Sequence, residues 1–333
     1  MPLHPAVAAV RRGVRGAISR LEPGDTVVVA CSGGADSLAL TSATVFEGHK
    51  LGLRVVGATV DHGLQPGSAD QAARAIAQLA ALGVDETATV RVEVVGGGHG
   101  PEAAARQARY DVLEQLRERL GAVLVLLGHT RDDQAETVLL GLTRGSGARS
   151  LAGMRRTFDH YARPLLDITR DDTVTACQVE GLEIWDDPHN DDPAYTRVRV
   201  RRTVLPVLEE QLGPGVAATL ARTADQLRDD VDALDDQARS AYDGLRATGD
   251  GADCSDGLPL GPVSELHRAV ASRVLRLAAL DAGATGSELF HVHVRALVDL
   301  AAGDLSGEVR LPGHVTAYRD RDHLHFRPTP VPR

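Results

Sequence analysis

Three short strings hold the residues best suited to chemistry, and each is rich in small, acidic or hydroxyl side chains. The first is Cys31-Ser32-Gly33-Gly34-Ala35-Asp36-Ser37. Its two glycines permit a tight turn whose backbone N–H groups point inward. A helix starting there adds partial positive charge, and Ser32 and Ser37 add hydroxyl donors, so the string reads as a cradle for phosphate. It is not a Walker A loop, which needs Gly-Lys-Ser/Thr, because it contains no lysine. The second string, Val60-Asp61-His62-Gly63-Leu64, offers a carboxylate and an imidazole, though its Asp and Gly equally suit a plain turn. The third runs Gly128-His129-Thr130-Arg131-Asp132-Asp133-Gln134-Ala135-Glu136-Thr137. Thr130 and Asp133 have the spacing of a capping box. On a helix, Asp132 or Asp133 projects from the same face as Glu136, one turn away. Carboxylates facing a phosphate cradle repel it unless a divalent cation lies between them. Mg²⁺ bound by carboxylates together with phosphate oxygens answers that need.

Two arginine islands accompany these strings. Between Gly141 and Arg163 lie five arginines (Arg144, Arg149, Arg155, Arg156, Arg163) against Asp159 alone. Arg197-Val198-Arg199-Val200-Arg201-Arg202 packs four positive charges into six residues. As a helix, the latter puts Arg197 and Arg201 on one face. An arginine run is ordinarily a solvated face, but these islands sit in a chain with 36 basic and 46 acidic side chains and a net charge of −10. Local anion binding therefore fits them better than general coating of nucleic acid, which the overall field opposes. Acid is concentrated elsewhere: Asp225 to Arg239 holds six aspartates and two arginines.

The elements that must position these residues alternate through the first half. Strands are expected at Thr26–Cys31, Leu53–Val60, Thr89–Val95 and Ala122–Leu127. Helices are expected at Asp36–Phe46, Ala69–Ala81, Pro101–Leu120 and Asp132–Leu142. That alternation predicts an α/β fold with a doubly wound parallel sheet, whose ligand crevice lies beyond the strands' carboxyl ends, at Ser32, Asp61 and His129. An amphipathic helix with Val7, Val10, Val14 and Ile18 on one face precedes the first strand. The second half predicts helices at Arg197–Leu212, Val216–Leu245 and Leu266–Ala282, a loop at Thr248–Pro262, and a hairpin within Gly307–Phe326. We expect a nucleotide-binding domain at 1–205 and a smaller, mainly helical domain with a terminal hairpin at 206–333.

Composition sets outer bounds. With 333 residues, 43% hydrophobic, 25% charged and 3% aromatic, the chain is neither disordered nor collagen-like nor a disulfide scaffold. No apolar window predicts a membrane span, and the N-terminus lacks a signal-peptide pattern. Cys31, Cys177 and Cys254 are odd in number and far apart, which fits a reducing cytosol and a cytoplasmic protein. Lys50 is the single lysine among 36 basic residues, so any anion site must use arginine, backbone N–H groups or metal.

The Ser-Gly-Gly-x-Asp-Ser string resembles the pyrophosphate loop of the N-type ATP pyrophosphatases, the PP-loop superfamily with its adenine nucleotide α-hydrolase-like fold. Further strings narrow the resemblance: VDHGLQ (60–65), HTRDDQAETVLL (129–140), RGSG (144–147), LAGM (151–154), RPLL (163–166), DDPHN (186–190) and YTRVRVRRTVLP (195–206). Together they are similar to the tRNA(Ile)-lysidine synthetase family across nearly the whole first domain. The pattern departs at His189, where Thr is common, and at Val198, where Asn is usual.

The resemblance implies a ligase that forms a carbon–nitrogen bond in tRNA processing. ATP adenylates the C2 oxygen of the wobble cytidine (position 34) of tRNA(Ile) with a CAU anticodon. The ε-amine of free L-lysine then displaces AMP to give lysidine, converting the reading of AUG to AUA. It implies ATP binding by Ser32, Gly33, Gly34, Ala35, Asp36, Ser37, Asp61 and His62, and Mg²⁺ at Asp36 with Glu136 or Asp132. Catalytic roles fall to Asp36, His129, Asp132, Asp133, Glu136 and Arg144, and tRNA contacts to Arg197, Arg199, Arg201 and Arg202. It also suggests a homodimer and tRNA contacts by the second domain. At neutral pH only about one lysine amine in a few thousand is uncharged, so a carboxylate or His129 must take its proton. Two alternatives stand beside this reading. A tRNA thiolase of the same superfamily would need paired reactive cysteines, and no C-x-x-C pair is present. A non-catalytic nucleotide-binding module would have no use for the carboxylate cluster.

Overall fold

In the computed structural model, residues 3–61, 68–91, 101–144, 147–186, 191–247 and 257–329 are described. The chain alternates through α1 (Pro5–Ile18), β1 (Thr26–Ala30), α2 (Ala35–Lys50), β2 (Arg54–Asp61), α3 (Ser68–Leu82), β3 (Glu86–Arg91), α4 (Pro101–Leu120), β4 (Leu124–Leu127) and α5 (Arg131–Arg144). After the short α6 (Ala148–Leu151), β5 (Thr157–Phe158) and β6 (Tyr161–Ala162) comes α7 (Arg170–Glu180). A helical run follows: α8 (Thr196–Arg199), a π-helical turn at Val200–Val204, α9 (Leu205–Leu212) and α10 (Val216–Ala247). The remainder is β7 (Leu258–Pro259), α11 (Leu260–Glu265), α12 (Arg268–Asp281), α13 (His291–Ala302), β8 (Glu308–Leu311), β9 (Val315–Asp320) and β10 (His323–Pro328).

The first sheet has the order β3-β2-β1-β4-β6-β5 and is parallel except for the β5–β6 pair. The α/β expectation holds, with two additions. The two-residue strands β5 and β6 are too short to show a period of two. The third strand spans Glu86–Arg91, earlier than the expected Thr89–Val95, and the residues beyond Arg91 lie outside the described set.

Burial explains the run of valines in β1. Val27 and Val29 pack under α1 and α2, whereas Val28 faces the opposite layer with Val56, Ala58, Leu113 and Leu116. A central parallel strand is covered on both faces and has no polar side to show. The chain passes outward from β1 to β2 and β3 and then returns to place β4 on β1's other side. The order therefore reverses between β1 and β4, and the crevice at their carboxyl ends is where such sheets bind ligands. In α1, Val7, Val10, Val14 and Ile18 are all buried, as its periodicity requires.

The chain divides into two compact units, one of residues 1–143 and 153–224, the other of 144–152 and 225–333. The expected division after Leu205 instead falls within the helical run. Val200 and Leu205 pack on Ala135 of α5, with Leu139, Leu140, Ala217 and Leu220 around them. That apolar contact keeps the run, and the start of α10, with the first unit. In the second unit, residues of α10, α12 and α13 share a core with a four-stranded antiparallel sheet of order β7-β10-β9-β8. The two segments expected to form a hairpin, Glu308–Leu311 and His323–Phe326, fall in β8 and β10, which are separated by β9 in this larger sheet. Arg149 of α6 belongs here, ion-paired with Asp235 at 2.6 Å.

One glycine sets how closely the sheet approaches α2. A Cβ on Gly128, just past β4, would lie 3.1 Å from the Asp36 carbonyl carbon and from the Ser37 nitrogen, both backbone atoms. We expect Gly128→Ala to lower stability by about 1–3 kcal/mol through overpacking. Urea unfolding of the variant should show a lower midpoint, and an unchanged midpoint would refute the packing argument.

Candidate active site

The loop after β1 is knitted from within. Ser37 donates to the Gly34 carbonyl at 2.9 Å and accepts from the Ser32 N–H at 3.2 Å. Its hydroxyl therefore braces the loop, and the side chain is buried. Gly33 has φ +87°, a conformation that suits glycine, and its carbonyl accepts from the Trp185 N–H at 3.0 Å. Gly34 is the N-cap of α2, and no side chain caps that helix. The first-turn amides at Ala35, Asp36 and Ser37 have no intrahelical acceptor, as at any helix start, so they suit an anion.

Two further helix starts meet this one. The N–H and hydroxyl of Thr130 both donate to Asp133 Oδ2, at 2.9 and 3.1 Å, which completes the expected capping arrangement at the start of α5. α7 opens with its own capping box, Thr169 with Asp172. Asp132 accepts the Arg170 backbone N–H at 2.8 Å, tying α5 to α7. Thr173 of α7 donates to Asp36 of α2. The positive ends of three helices therefore converge beside the glycine loop, with Asp36 among them.

The carboxylates are neutralised by arginine. Glu136 is fully buried, and both its oxygens are engaged: Arg201 Nε donates to one at 2.7 Å and Arg197 Nε to the other at 2.8 Å. Asp133 accepts from Arg170 Nη2 at 2.9 Å and from Arg201 Nη2 at 3.3 Å. Arg170 also lies 3.5 Å from Glu136 and 3.7 Å from Asp36. Asp36, Asp133 and Glu136 thus face Arg170, Arg197 and Arg201, charge for charge. The repulsion expected of this cluster is relieved by guanidinium groups.

Glu136 therefore does not fit Mg²⁺ as held here, since neither of its oxygens is free for a cation. Asp36 does fit. It lies beside the cradle with 21% of its side chain exposed, and among the described residues the oxygen not taken by Thr173 has the 3.7 Å Arg170 contact. Among the described residues, no group of three or more His, Cys, Asp or Glu side chains could hold a metal by themselves.

The surroundings set the protonation states. Burial raises the Asp36 carboxyl to about 6, with Asp133 pushing the same way, while Thr173, Arg170 and Arg201 oppose the rise. Burial also works against the charge on Asp133, yet Arg170 and Arg197 hold its carboxyl below the usual range. His129 is lowered to about 3 by burial and by Arg163, Arg109 and Arg197, against the pull of Asp133. Its Nδ1 accepts from Arg163 Nε at 3.2 Å. The imidazole is neutral at pH 7, and its acceptor nitrogen is already occupied.

The four arginines expected to bind RNA separate into two pairs. Arg197 and Arg201 do share a face, as α-helical spacing requires, but that face is turned to Glu136. Arg199 and Arg202 are exposed: Arg199 holds the carbonyls of Pro193 and Ala194 at 2.6 and 2.9 Å, and Arg202 pairs with Asp191. Val198, at the position where Asn is usual, is buried and serves packing. Asp61 ends β2 and Arg144 ends α5, but their side chains lie outside the described set. His62, Gly145 and Ser146 lie outside it entirely.

Sequence reasoning missed Arg170, Thr173, Trp185 and the hold of Arg163 on His129. Arg163 stood in the quoted RPLL string, but a single arginine carries no spacing signal. The helix that delivers Arg170 and Thr173 was not anticipated, although Thr169-x-x-Asp172 has capping-box spacing. Gln134 accounts for the LAGM string: its side-chain amide pairs with both backbone polar groups of Met154, at 2.7 and 3.1 Å. Cys31 and Cys177 are both buried, and burial pushes the Cys177 thiol up to about 12.

Comparison with known proteins accords with this geometry. Residues 10–208 match the PP-loop domain, and residues 258–325 match the TilS substrate binding domain. The chain is 52% identical to the tRNA(Ile)-lysidine synthase of Thermobifida fusca, over 96% of each chain. It is 48% identical to that of Streptomyces coelicolor, over 97% of this chain and 99% of the relative. A solved structure, the U34-tRNA thiolase NcsA from Methanococcus maripaludis with its [4Fe-4S] cluster, has the same fold. It aligns with TM-score 0.57 at 19% identity, covering 67% of this chain and 80% of that one.

Two measurements test the electrostatics. Glu136→Gln leaves the buried face of Arg197 and Arg201 short of one negative charge, and we expect it to lose about 3 kcal/mol in urea unfolding; a change within error would refute the cluster. For His129 the folded value of about 3 lies below the ordinary 6.5, so the folded state binds fewer protons between them. Its contribution to stability is full above pH 6.5 and is lost as pH falls toward 3. Asp36, raised in the fold, acts with the opposite sign, so the variant must be compared with the parent at each pH. His129→Gln should flatten the acid-side loss of stability, and parallel profiles would refute it.

Proposed function

The chain belongs to the tRNA(Ile)-lysidine synthase family, and on that premise we propose that it installs lysidine on the wobble cytidine of tRNA(Ile) with a CAU anticodon. The observation that supports this most directly is the convergence of three helix starts, one of them without a side-chain cap, on a glycine loop at the sheet's switch point. That arrangement suits the phosphates of ATP, which the PP-loop domain uses as substrate. Mg²⁺ would be held by Asp36 together with phosphate oxygens, and it would offset their charge.

In the first step the C2 oxygen of the cytidine forms a bond to the α-phosphorus of ATP. The bond from that phosphorus to the bridging oxygen breaks, and pyrophosphate leaves. The amides at Ala35, Asp36 and Ser37 are oriented before the reaction, so they stabilise developing phosphoryl charge without reorganising. Arg144, at the end of α5, is proposed as a further cation there. In the second step the ε-amine of free lysine forms a bond to C2. The C2–O bond breaks, AMP leaves with the original oxygen, and a carboxylate of the cluster takes the amine's proton. Asp61 and His62 are proposed on the nucleotide side, and Arg199 and Arg202, which are exposed, on the tRNA side. We assign the reaction to the cytoplasm; no described helix is long and apolar enough to cross a membrane. Sulfur transfer is disfavoured, since Cys31, Cys177 and Cys254 offer no C-x-x-C pair and burial raises the Cys177 thiol to about 12.

Pyrophosphate release should require ATP, Mg²⁺ and the tRNA together, with radiolabelled lysine entering tRNA(Ile) bearing CAU. Asp36→Ala should abolish adenylation, whereas Arg199→Ala should weaken tRNA binding and leave ATP binding intact. The reverse pattern, or sulfur entering in place of lysine, would overturn the assignment.

A further inference from the structure

Arg163 is a charged side chain with 6% exposure, held by the whole of its guanidinium. Nη1 donates to the Arg155 carbonyl at 2.6 Å and Nη2 to the Tyr110 hydroxyl at 3.0 Å. Its Cζ lies 4.5 Å from the centre of the Phe158 ring, a cation–π contact. Tyr110, Phe158 and Tyr161 pack edge-on or stacked around it, which limits the rotamers it can adopt. The third nitrogen, Nε, donates to His129 Nδ1 at 3.2 Å.

A guanidinium has only donors and keeps its protons throughout the biological pH range. The nitrogen it points at must therefore carry a lone pair. That leaves His129 with its proton on Nε2 and with no acceptor nitrogen free. His129 directly follows Gly128, the residue packed against Asp36 and Ser37, so its backbone leaves β4 at the crevice end beside the glycine loop, with its ring in range of Asp133 and Arg197. The groups that act on it are Asp133, Arg163, Arg109 and Arg197. Burial and the three guanidinium groups disfavour a charged imidazolium against the pull of Asp133.

We propose that Arg163 is a positioning residue that fixes His129 as the neutral Nε2–H tautomer, so that His129 donates a hydrogen bond to a phosphoryl oxygen of the bound nucleotide and is not the acceptor of lysine's proton. The catalytic half of this proposal rests on the lysidine reading above, whereas the tautomer does not. Fixing a ring nitrogen by a bond at the other nitrogen is how second partners of histidine work elsewhere, and losing such partners costs about 10–100-fold in function.

Histidine-¹⁵N spectra of the full chain test the tautomer, with the His129 signals identified by their loss in His129→Gln. We expect protonated Nε2, unprotonated Nδ1 and no titration between about pH 5 and 8. Arg163→Met should give a tautomer mixture that titrates in that window, and Arg163→Lys should restore the single tautomer in part. A protonated Nδ1 in the parent protein, or an ordinary titration there, overturns the proposal even if the methionine variant fails to fold.

Kinetics test the role. Arg163→Met should lower kcat for lysine transfer by about 10–100-fold with KM for ATP little changed, and Arg163→Lys should recover part of it. His129→Gln, which keeps an N–H near Nε2, should stay within about tenfold of the parent. His129→Glu, which offers only acceptors, should lose about 100-fold or more. Equal loss in both His129 variants overturns the donor role. If the parent protein transfers no lysine at all, the lysidine reading fails, and the spectra still decide the tautomer.

Discussion

The first unit depends on a single requirement, that three carboxylates brought together beside the proposed phosphate site be neutralised inside the protein. Helix starts attract carboxylates, because Asp and Glu stabilise the orphan amides and the positive end of the dipole. Three such starts meeting at one crevice therefore concentrate negative charge where ATP must also bring its own. The answer is arginine delivered from two directions: Arg170 from the first turn of α7, and Arg197 with Arg201 from the run after residue 195. Their fork geometry lets one guanidinium serve two carboxylates, as Arg201 does for Glu136 and Asp133. Glu136 has no exposure at all, so without these partners its charge would stand unpaired in the protein interior.

This requirement accounts for features that look unrelated along the chain. The π-helical turn at Val200–Val204 follows directly on Arg199, and Pro206 cannot supply the next backbone donor. Val200 and Leu205 pack on Ala135 while Arg197 and Arg201 reach Glu136 one residue further along α5. Polar and apolar contacts therefore seat the same segment on the same helix. The Arg-rich segment is in this sense part of the nucleotide unit's interior, and only its outward residues, Arg199 and Arg202, remain for a partner. The net charge of −10 is compatible with binding one RNA locally, since half of the densest basic island is already spent on internal acid.

Legibility varied with range. The glycine loop, the capping of α5 by Thr130 and Asp133, and the buried strands were readable because each is a local pattern, set by neighbours within four residues. The shared face of Arg197 and Arg201 was readable for the same reason. What that face meets was not, because Glu136 lies 61 residues before Arg197 and no spacing rule connects them. Mg²⁺ was inferred at Glu136 from a correct premise, that the cluster needs positive charge. The structure meets that need with side chains whose partners only the fold reveals. The hold of Arg163 on His129 crosses 34 residues and depends on β6 lying beside β4, a pairing two residues long.

The near-absence of lysine has a consequence for how the site responds to pH. Lys50 lies at the far end of α2, half exposed and 3.8 Å from Glu47. Every cation described around the carboxylates is arginine, which stays charged up to about pH 12. The positive side of the cluster is therefore constant over the physiological range. Asp133 is held ionised by its partners, and His129 is held neutral by burial and by the guanidinium at Nδ1. Of the groups here whose ionisation the fold shifts, Asp36 alone, raised to about 6, lies near neutrality. A site built this way keeps its counter-charge fixed, and Asp36 is the shifted carboxylate that burial brings near neutrality. A lysine in place of any of the three arginines would add a cation whose proton is removable when buried, and the balance of three against three would then shift with its surroundings.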